Sequence, residues 1–410
     1  MKRPFYLALL LMAGLAALPA RAEWSDFDLR PTGQGYKFGP NGAFRVAPSL
    51  SIGAFWESNS RDTSSSEKSG GGWRVQPALS ISYNGKENGR QLGTWALSAF
   101  YSMERGFDSD NAQDSDSYGF NLATHRNFGR NLTLTVSAAY SRSENDEFYG
   151  DTWNSNYLSR VDKDKSESYN LHAALGNRGD RWQWSLGLGW GRTKQLTGRK
   201  DESDSYTFSA LVGRAVKQHH YWNFSFSTSW DDADDNSQAY YFMTGMSGQV
   251  SDRVSYSAMA GLGVYDYSGY TNDTAVGPTY NMSVAYRYSK KVTFSAALSS
   301  QYKPEYDGDQ RSYYVWSNTL TGAMNVQWTN RVSTRFNLSG SYEEHVGNGG
   351  SADYERTYLQ ASANLAYRLN KFMSFNLSGS WKTDDYSGSG RSSSGSRDDL
   401  RLDVGLTFTL

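Results

Sequence analysis

Apolar and polar residues alternate with a period of two through most of the chain. Trp182, Trp184, Leu186, Leu188 and Trp190 are interleaved with Gln183, Ser185, Gly187 and Gly189. Leu132, Leu134, Val136, Ala138 and Tyr140 repeat the pattern, as do Val292, Phe294, Ala296 and Leu298. A period of two sends one set of side chains to one face and the other set to the opposite face, which is the geometry of a strand and not of a helix. Each run covers about 10 to 15 residues, longer than the usual soluble strand and sufficient for a tilted crossing of a bilayer. Eighteen such runs follow one another from around Leu50 to around Val404. The alternation blurs at Tyr240-Tyr241 and at Tyr313-Tyr314, so sixteen runs is the alternative count.

The connections between runs fall into two alternating kinds. One is short and basic, as in Asn177-Arg178-Gly179-Asp180-Arg181, Ser289-Lys290-Lys291 and Leu369-Asn370-Lys371. The other is longer, polar and mostly acidic, as in Asp108 to Asp116, Asn145 to Lys165 and Pro304 to Arg311. Barrels of the outer membrane have short periplasmic turns and longer external loops, so the basic turns are expected inside and the acidic loops outside. Arg253, Lys291, Arg331 and Lys371 recur at intervals of 38, 40 and 40 residues. A propeller blade has a similar length, but its turns are tight at both ends. The reading is therefore all-β: a transmembrane up-and-down antiparallel β-barrel of about 18 strands. Closure removes every sheet edge, which a lipid environment demands.

Both ends of the chain fit that reading. Residues 1–22 have the form of a secretory signal peptide: Lys2 and Arg3, an apolar stretch from Leu7 to Ala17, and Ala20-Arg21-Ala22 before Glu23. Residues 23–43 hold Pro31, Pro40 and four glycines with no clear period, and form either a periplasmic tail or a small plug. The barrel is assigned to 44–410. Its last strand carries Leu402, Val404, Leu406, Phe408 and Leu410 at every second position, resembling the C-terminal signal read by the barrel-assembly machinery. A strand ending in the periplasm requires an even strand number when both termini lie there.

Composition narrows the class further. There is no Cys, which excludes a disulfide-stapled scaffold. The 13 Trp, 29 Tyr and 19 Phe exclude a disordered chain. Lys and Arg total 41 against 42 Asp and Glu, a balance that argues against nucleic acid as a partner. Loss of Lys2, Arg3 and Arg21 takes the formal charge from −1 to −4. The expected location is the bacterial outer membrane, in contact with its lipid and lipopolysaccharide. Trp56, Trp73, Trp182, Trp230, Tyr286 and Trp381 stand near the run ends, as interfacial girdles do.

The inward face reads as Ser, Thr, Gly, Ala, Asn and Gln, with a few aromatics such as Phe55, Phe100 and Tyr265. The pore-lining candidates are Arg45, Arg74, Glu104, His172, Arg287, Arg335, Arg356, Arg401 and Asp403. At eighteen strands the interior is wide enough for water or a solute. A lining of small neutral hydroxyls and amides suits a neutral or mildly acidic hydrophilic solute.

No constellation of residues points to catalysis. Five His are present, and His345 lies in Glu343-Glu344-His345-Val346-Gly347-Asn348, read as an external loop without a nucleophile motif. His219-His220 sits at a predicted turn without metal-site spacing. Asp231-Asp232-Ala233-Asp234-Asp235-Asn236 lacks the spacing of a calcium loop. No catalytic residue, metal ligand or cofactor site is assigned.

The turns Tyr286 to Phe294, Trp328 to Ser333 and Tyr367 to Phe372, with the signal peptide and the apolar terminal strand, resemble the outer-membrane β-barrel porin family associated with exopolysaccharide export. The resemblance covers most of the barrel and carries no site residue. It implies an exit pore for a secreted polysaccharide, served by periplasmic export components. Two other readings stay open at this point. One is a general or sugar-selective uptake porin, constricted by the 145–165 loop. The other is a non-conducting structural barrel closed by the 23–43 segment.

Overall fold

The computed structural model describes residues 35–38, 43–58, 69–87, 90–107, 114–128, 131–145, 164–196, 202–232, 236–268, 272–303, 312–347, 354–388 and 396–410. Among these there is no helix long and apolar enough to cross a membrane. The described residues form nineteen strands. The first six are β1 (Tyr36–Phe38), β2 (Phe44–Glu57), β3 (Gly70–Glu87), β4 (Arg90–Gly106), β5 (Ser115–Phe128) and β6 (Leu132–Asn145). Then come β7 (Asp164–Arg178), β8 (Trp182–Gln195), β9 (Glu202–Lys217), β10 (His220–Asp232), β11 (Asn236–Ser251) and β12 (Val254–Ser268). The remainder are β13 (Asn272–Arg287), β14 (Val292–Lys303), β15 (Ser312–Gln327), β16 (Val332–Gly347), β17 (Tyr354–Arg368), β18 (Met373–Gly388) and β19 (Ser396–Thr409).

Each of β2 to β19 pairs antiparallel with its neighbours in sequence, and β19 pairs back on β2 from Arg401↔Glu57 to Thr409↔Ser49. The result is a closed barrel of eighteen strands, so the sixteen-strand alternative is excluded. Strands of 12 to 18 residues exceed the 9 to 11 that a tilted bilayer crossing needs, so their ends stand clear of the hydrocarbon.

β1 is a nineteenth piece and not a wall strand of full length. It pairs with the start of β2 through Tyr36↔Val46, Lys37↔Arg45 and Phe38↔Phe44. There it takes over the β2 edge just beyond the C-terminus, where Leu410 donates its N–H to the Pro48 carbonyl. Pro48 has no N–H to leave unpaired at that junction. Residues 36–38 thus extend the wall. The rest of the proposed tail or plug, apart from Gly35 and Ala43, lies outside the described residues.

The register fixes which side chains face out. On β8, β10, β11 and β12 the outward set includes Leu188, Phe224, Phe242 and Leu262, all more than half exposed. A belt of bare Leu and Phe at mid-strand is unstable in water and is the normal surface of a barrel in lipid. Aromatic rings border the belt. At the short-turn end Phe38 stacks on Phe44, which in turn meets Tyr83 and Trp95. At the long-loop end a Tyr118–Tyr140–Tyr169 row is backed by outward ion pairs, Arg142 with Glu144 and Glu167 and Arg192 with Glu202. Such pairs belong at headgroup level, where amphipathic rings and charges both find water.

Candidate functional site: the luminal wall

Adjacent strands place their inward residues opposite one another, and the pairing puts all nine sequence-derived candidates on the inner face. Arg74 stands opposite Glu104, Ser378 opposite Asp403, and Ser380 opposite Arg401. Ser137 stands opposite His172, Asn325 opposite Arg335, and Glu343 opposite Arg356. Arg45 pairs with Ser82, and Arg287 with Thr293. The nine do not form one site. The structure divides them by height and by sector.

The first group lies in the long-loop half, around the β19–β2 closure. Arg74 meets Glu104 and Asp403, each at 3.4 Å. Arg401 meets Glu104 at 3.1 Å, Asp403 at 3.3 Å and Glu57 at 4.0 Å. Its guanidinium covers the buried Phe55 ring at 4.5 Å, a cation–π contact. Lys382 adds a pair with Asp399 at 3.1 Å.

Arg356 anchors the second group, one sector further round. It grips Asp384 through two parallel bonds of 2.8 and 2.7 Å, the fork geometry that suits Arg to a carboxylate. Glu343 lies 3.6 Å from both Arg356 and His345, and Ser317 donates to it at 3.4 Å. His345 stacks on Tyr354 with ring centroids 4.0 Å apart. This corrects the loop assignment of His345. It is a strand residue of β16, inward and almost fully buried, because the strand continues to Gly347. Glu57, Glu343, Lys382, Asp384 and Asp399 were not among the sequence candidates. Their period-two placement relative to Phe55, Ser341, Ser380 and Arg401 is the signal that finds them. Together the two groups set four cations, Arg74, Arg356, Lys382 and Arg401, against six carboxylates.

Three of the other candidates, Arg45, Arg287 and Arg335, stand in the short-turn half, away from both groups. Arg45 is near the start of β2, Arg335 near the start of β16, and Arg287 closes β13, donating to the Asp252 carbonyl. The inward parity adds two arginines that were missed because they read as turn residues: Arg178 at the end of β7 and Arg368 at the end of β17. Arg368 shares a recess with Gln327, Arg331, Ser333 and Lys371, which gathers the cations of two adjacent turns. On the strands of this half no described Asp or Glu has inward parity; Asp180 and Asp252 lie in the turns themselves. The lumen is therefore axially polarised, basic at the short-turn end and carboxylate-rich at the long-loop end.

Between the charged sectors the wall is neutral. Ser137, Asn170, His172, Gly189 and Thr207 run across β6 to β9, with His172 exposed to the lumen. Nearer the short turns Gln183 donates to Asn223 at 2.6 Å and Asn223 to Ser247 at 2.8 Å, a buried amide network. Tyr265 and Tyr302 with Ala239 form an aromatic block at the long-loop end, flanked by Tyr241 and Trp316. Among the described residues no group of His, Asp and Glu is placed to hold a metal ion.

No protein-family model and no curated protein matches the chain. Solved structures with a similar fold include the siderophore receptor PirA from Acinetobacter baumannii, 7% identical over 88% of this chain and 80% of that one, at a TM-score of 0.46. A ferric enterobactin receptor (PfeA) mutant from Pseudomonas aeruginosa is 7% identical over 89% and 80%, at 0.47. FpvA of P. aeruginosa bound to a pyoverdine is 10% identical over 88% and 72%, also at 0.47. At such identities and scores these proteins are similar to this chain in barrel architecture, and their cargo says nothing about its own.

Proposed function

We propose that this protein is an outer-membrane pore through which a secreted polysaccharide leaves the cell. The observation that carries the reading is the axial order of the lumen: a basic ring at the short-turn end, a neutral hydroxyl and amide wall, then a carboxylate-rich sector. The basic ring draws acidic or polar polymer segments from the periplasm. The Ser, Thr and Asn wall exchanges hydrogen bonds with sugar hydroxyls at little net cost. The carboxylates at the far end disfavour residence of an anionic chain and so favour release. The resemblance of the turns to the exopolysaccharide-export porins supports the same assignment.

In this reading the short basic turns face the periplasm and offer a docking surface to export components. The C-terminal strand is the handle for the barrel-assembly machinery, and lipopolysaccharide surrounds the outer rim. The protein is a conduit, and transport needs no chemical step from it.

Single-channel recording of the refolded barrel in planar bilayers tests this, with a neutral and an acidic polysaccharide added in turn to each side. The expected result is steady conductance, blocked at lower polymer concentration from the short-turn side. A folded barrel that never conducts, or one blocked by neither polymer from either side, overturns the proposal. Block by small sugars with none by polymers favours an uptake porin.

A further inference from the structure

The wall parts between β13 and β14. Their ladder holds only seven pairs, from Arg287↔Thr293 to Asn281↔Ser299. β13 nevertheless continues against β12 as far as Asn272, and β14 continues against β15 as far as Lys303. The seam opens in the long-loop half. Counting from Tyr286 at the short-turn rim, the 9 to 11 residues of a hydrocarbon crossing reach to about Val276–Pro278, so the lower seam lies within the lipid of the far leaflet.

An unpaired edge in lipid is costly unless each backbone donor is accounted for. Arg287 donates toward β12, to the Arg253 carbonyl, so alternate residues Tyr280, Pro278 and Val276 direct their nitrogens at the seam. The Tyr280 N–H goes to the Ser300 hydroxyl at 3.0 Å. The next position is Pro278, which has no N–H, as suits a strand edge. Thr279 donates its hydroxyl to the Ser300 carbonyl at 3.1 Å. One seam-facing donor is thus paired with a side chain and the next is absent from the sequence, without a partner strand, which marks a built edge.

The end of β14 has turned into the lumen. Tyr302 donates its N–H to the Tyr241 hydroxyl at 3.1 Å, and that hydroxyl donates to the Tyr302 carbonyl at 2.8 Å, from two strands beyond β13. The Tyr302 ring stacks on Tyr265 at 6.2 Å. It lies in a slot made by Gly263 and Gly277, which face each other across β12 and β13. A Cβ at Gly277 would collide with the Tyr302 hydroxyl, and one at Gly263 would press on the Tyr241 and Tyr302 rings at 3.2 Å.

We propose that the β13–β14 seam is a lateral port by which the acyl chain of an amphiphile passes between the lipid and the lumen, with the Tyr302 arm as its inner latch. The outward flanks are apolar, Val276, Leu298 and Leu262, and receive a hydrocarbon chain. The inner side carries hydroxyls, Thr279 and Tyr241, which the β14 end holds while the latch is closed and which receive a polar head when it swings away. This goes beyond the axial pore, and its test needs no conduction, so either can fail alone.

The test uses the refolded protein in phosphatidylcholine liposomes containing a trace of phosphatidylcholine with a diazirine on its acyl chain. After irradiation, labelled residues are mapped by mass spectrometry. The expected labels are on outward Val276 and Leu298 and also on inward Thr279 and Tyr302. Inward Ser283 and Ala297, where the ladder is intact, stay at background. Tyr302→Ala should raise labelling of Thr279 several-fold. A Thr279→Cys/Gln301→Cys disulfide, which would carry the ladder past Asn281, should return Thr279 to background until reduced; the chain has no Cys of its own. Heat-modifiable migration on gels confirms folding of each variant. Labelling confined to outward residues in the unmodified protein overturns the port. So does inward labelling that persists with the disulfide formed. If the disulfide does not form, the unmodified protein and Tyr302→Ala decide.

Discussion

The guanidinium of Arg401 lies 4.5 Å over the ring of Phe55, across the line where the last strand closes on the first barrel strand. The same cation serves three carboxylates, Glu104, Asp403 and Glu57. In Arg401→Gln, Arg74 still meets Glu104 and Asp403, but Glu57 loses its arginine. The lumen should then favour cations more strongly, seen as a shift of the reversal potential under a KCl gradient. Equilibrium unfolding should show a loss of about 1–2 kcal/mol, below the value for fully buried charged hydrogen bonds because the side chain is 25% exposed. An unchanged reversal potential would mean that ions bypass this sector.

The two faces of one strand pair should respond in opposite ways to charge. Leu188 is outward and 62% exposed at mid-barrel, whereas Asn170 on the adjacent strand faces the lumen. Leu188→Arg is expected to cost about 2–4 kcal/mol in lipid vesicles, the midplane value for a lipid-facing cation. Asn170→Arg should cost under about 1 kcal/mol, as for a solvated surface change. Denaturant titrations followed by Trp fluorescence would separate the two. Equal costs would contradict the inside–outside assignment.

β1 makes a narrower claim. It fills the β2 edge beyond Leu410 and stacks Phe38 on Phe44 at 5.3 Å. Phe38→Ala should destabilise the barrel by about 1 kcal/mol through the lost aromatic pair. Conductance should not change, because this strand belongs to the wall. A rise in conductance would show that the segment obstructs the lumen.

Much of the wall is legible in the chain because lipid outside and water inside impose opposite preferences at alternate positions. β8 is the plain case, with three Trp and two Leu outward and Gly, Ser and Gln inward. Where the alternation blurs, the structure supplies the reason. At Tyr313-Tyr314 the β15–β16 register shifts between Ser312 and Tyr314, and one extra residue breaks the period. At Tyr240-Tyr241 the lumen accepts a tyrosine because the Gly263 and Gly277 slot leaves room for the rings. His345 looked like a loop residue because beyond the bilayer both faces of a strand are polar. The seam left one mark in the sequence, Pro278 in the middle of a strand. The rest of it depends on contacts between β11 and β14 that no local pattern encodes.

The basic ring gives the most direct test of direction. Arg178, Arg287, Arg335 and Arg368 are exposed, lumen-facing and in the short-turn half. No described carboxylate of inward parity stands on the strands there. Their field acts over about a Debye length, roughly 8–10 Å near physiological salt and about 3 Å at 1 M. Arg335→Ala/Arg368→Ala should therefore weaken block by an acidic polysaccharide added on the short-turn side several-fold at 0.1 M salt. At 1 M salt the variant and the parent should converge. Block from the long-loop side should change little, because the carboxylate sector is untouched. Equal weakening from both sides would place the arginines in a common constriction, and no weakening from either would remove them from the polymer's path.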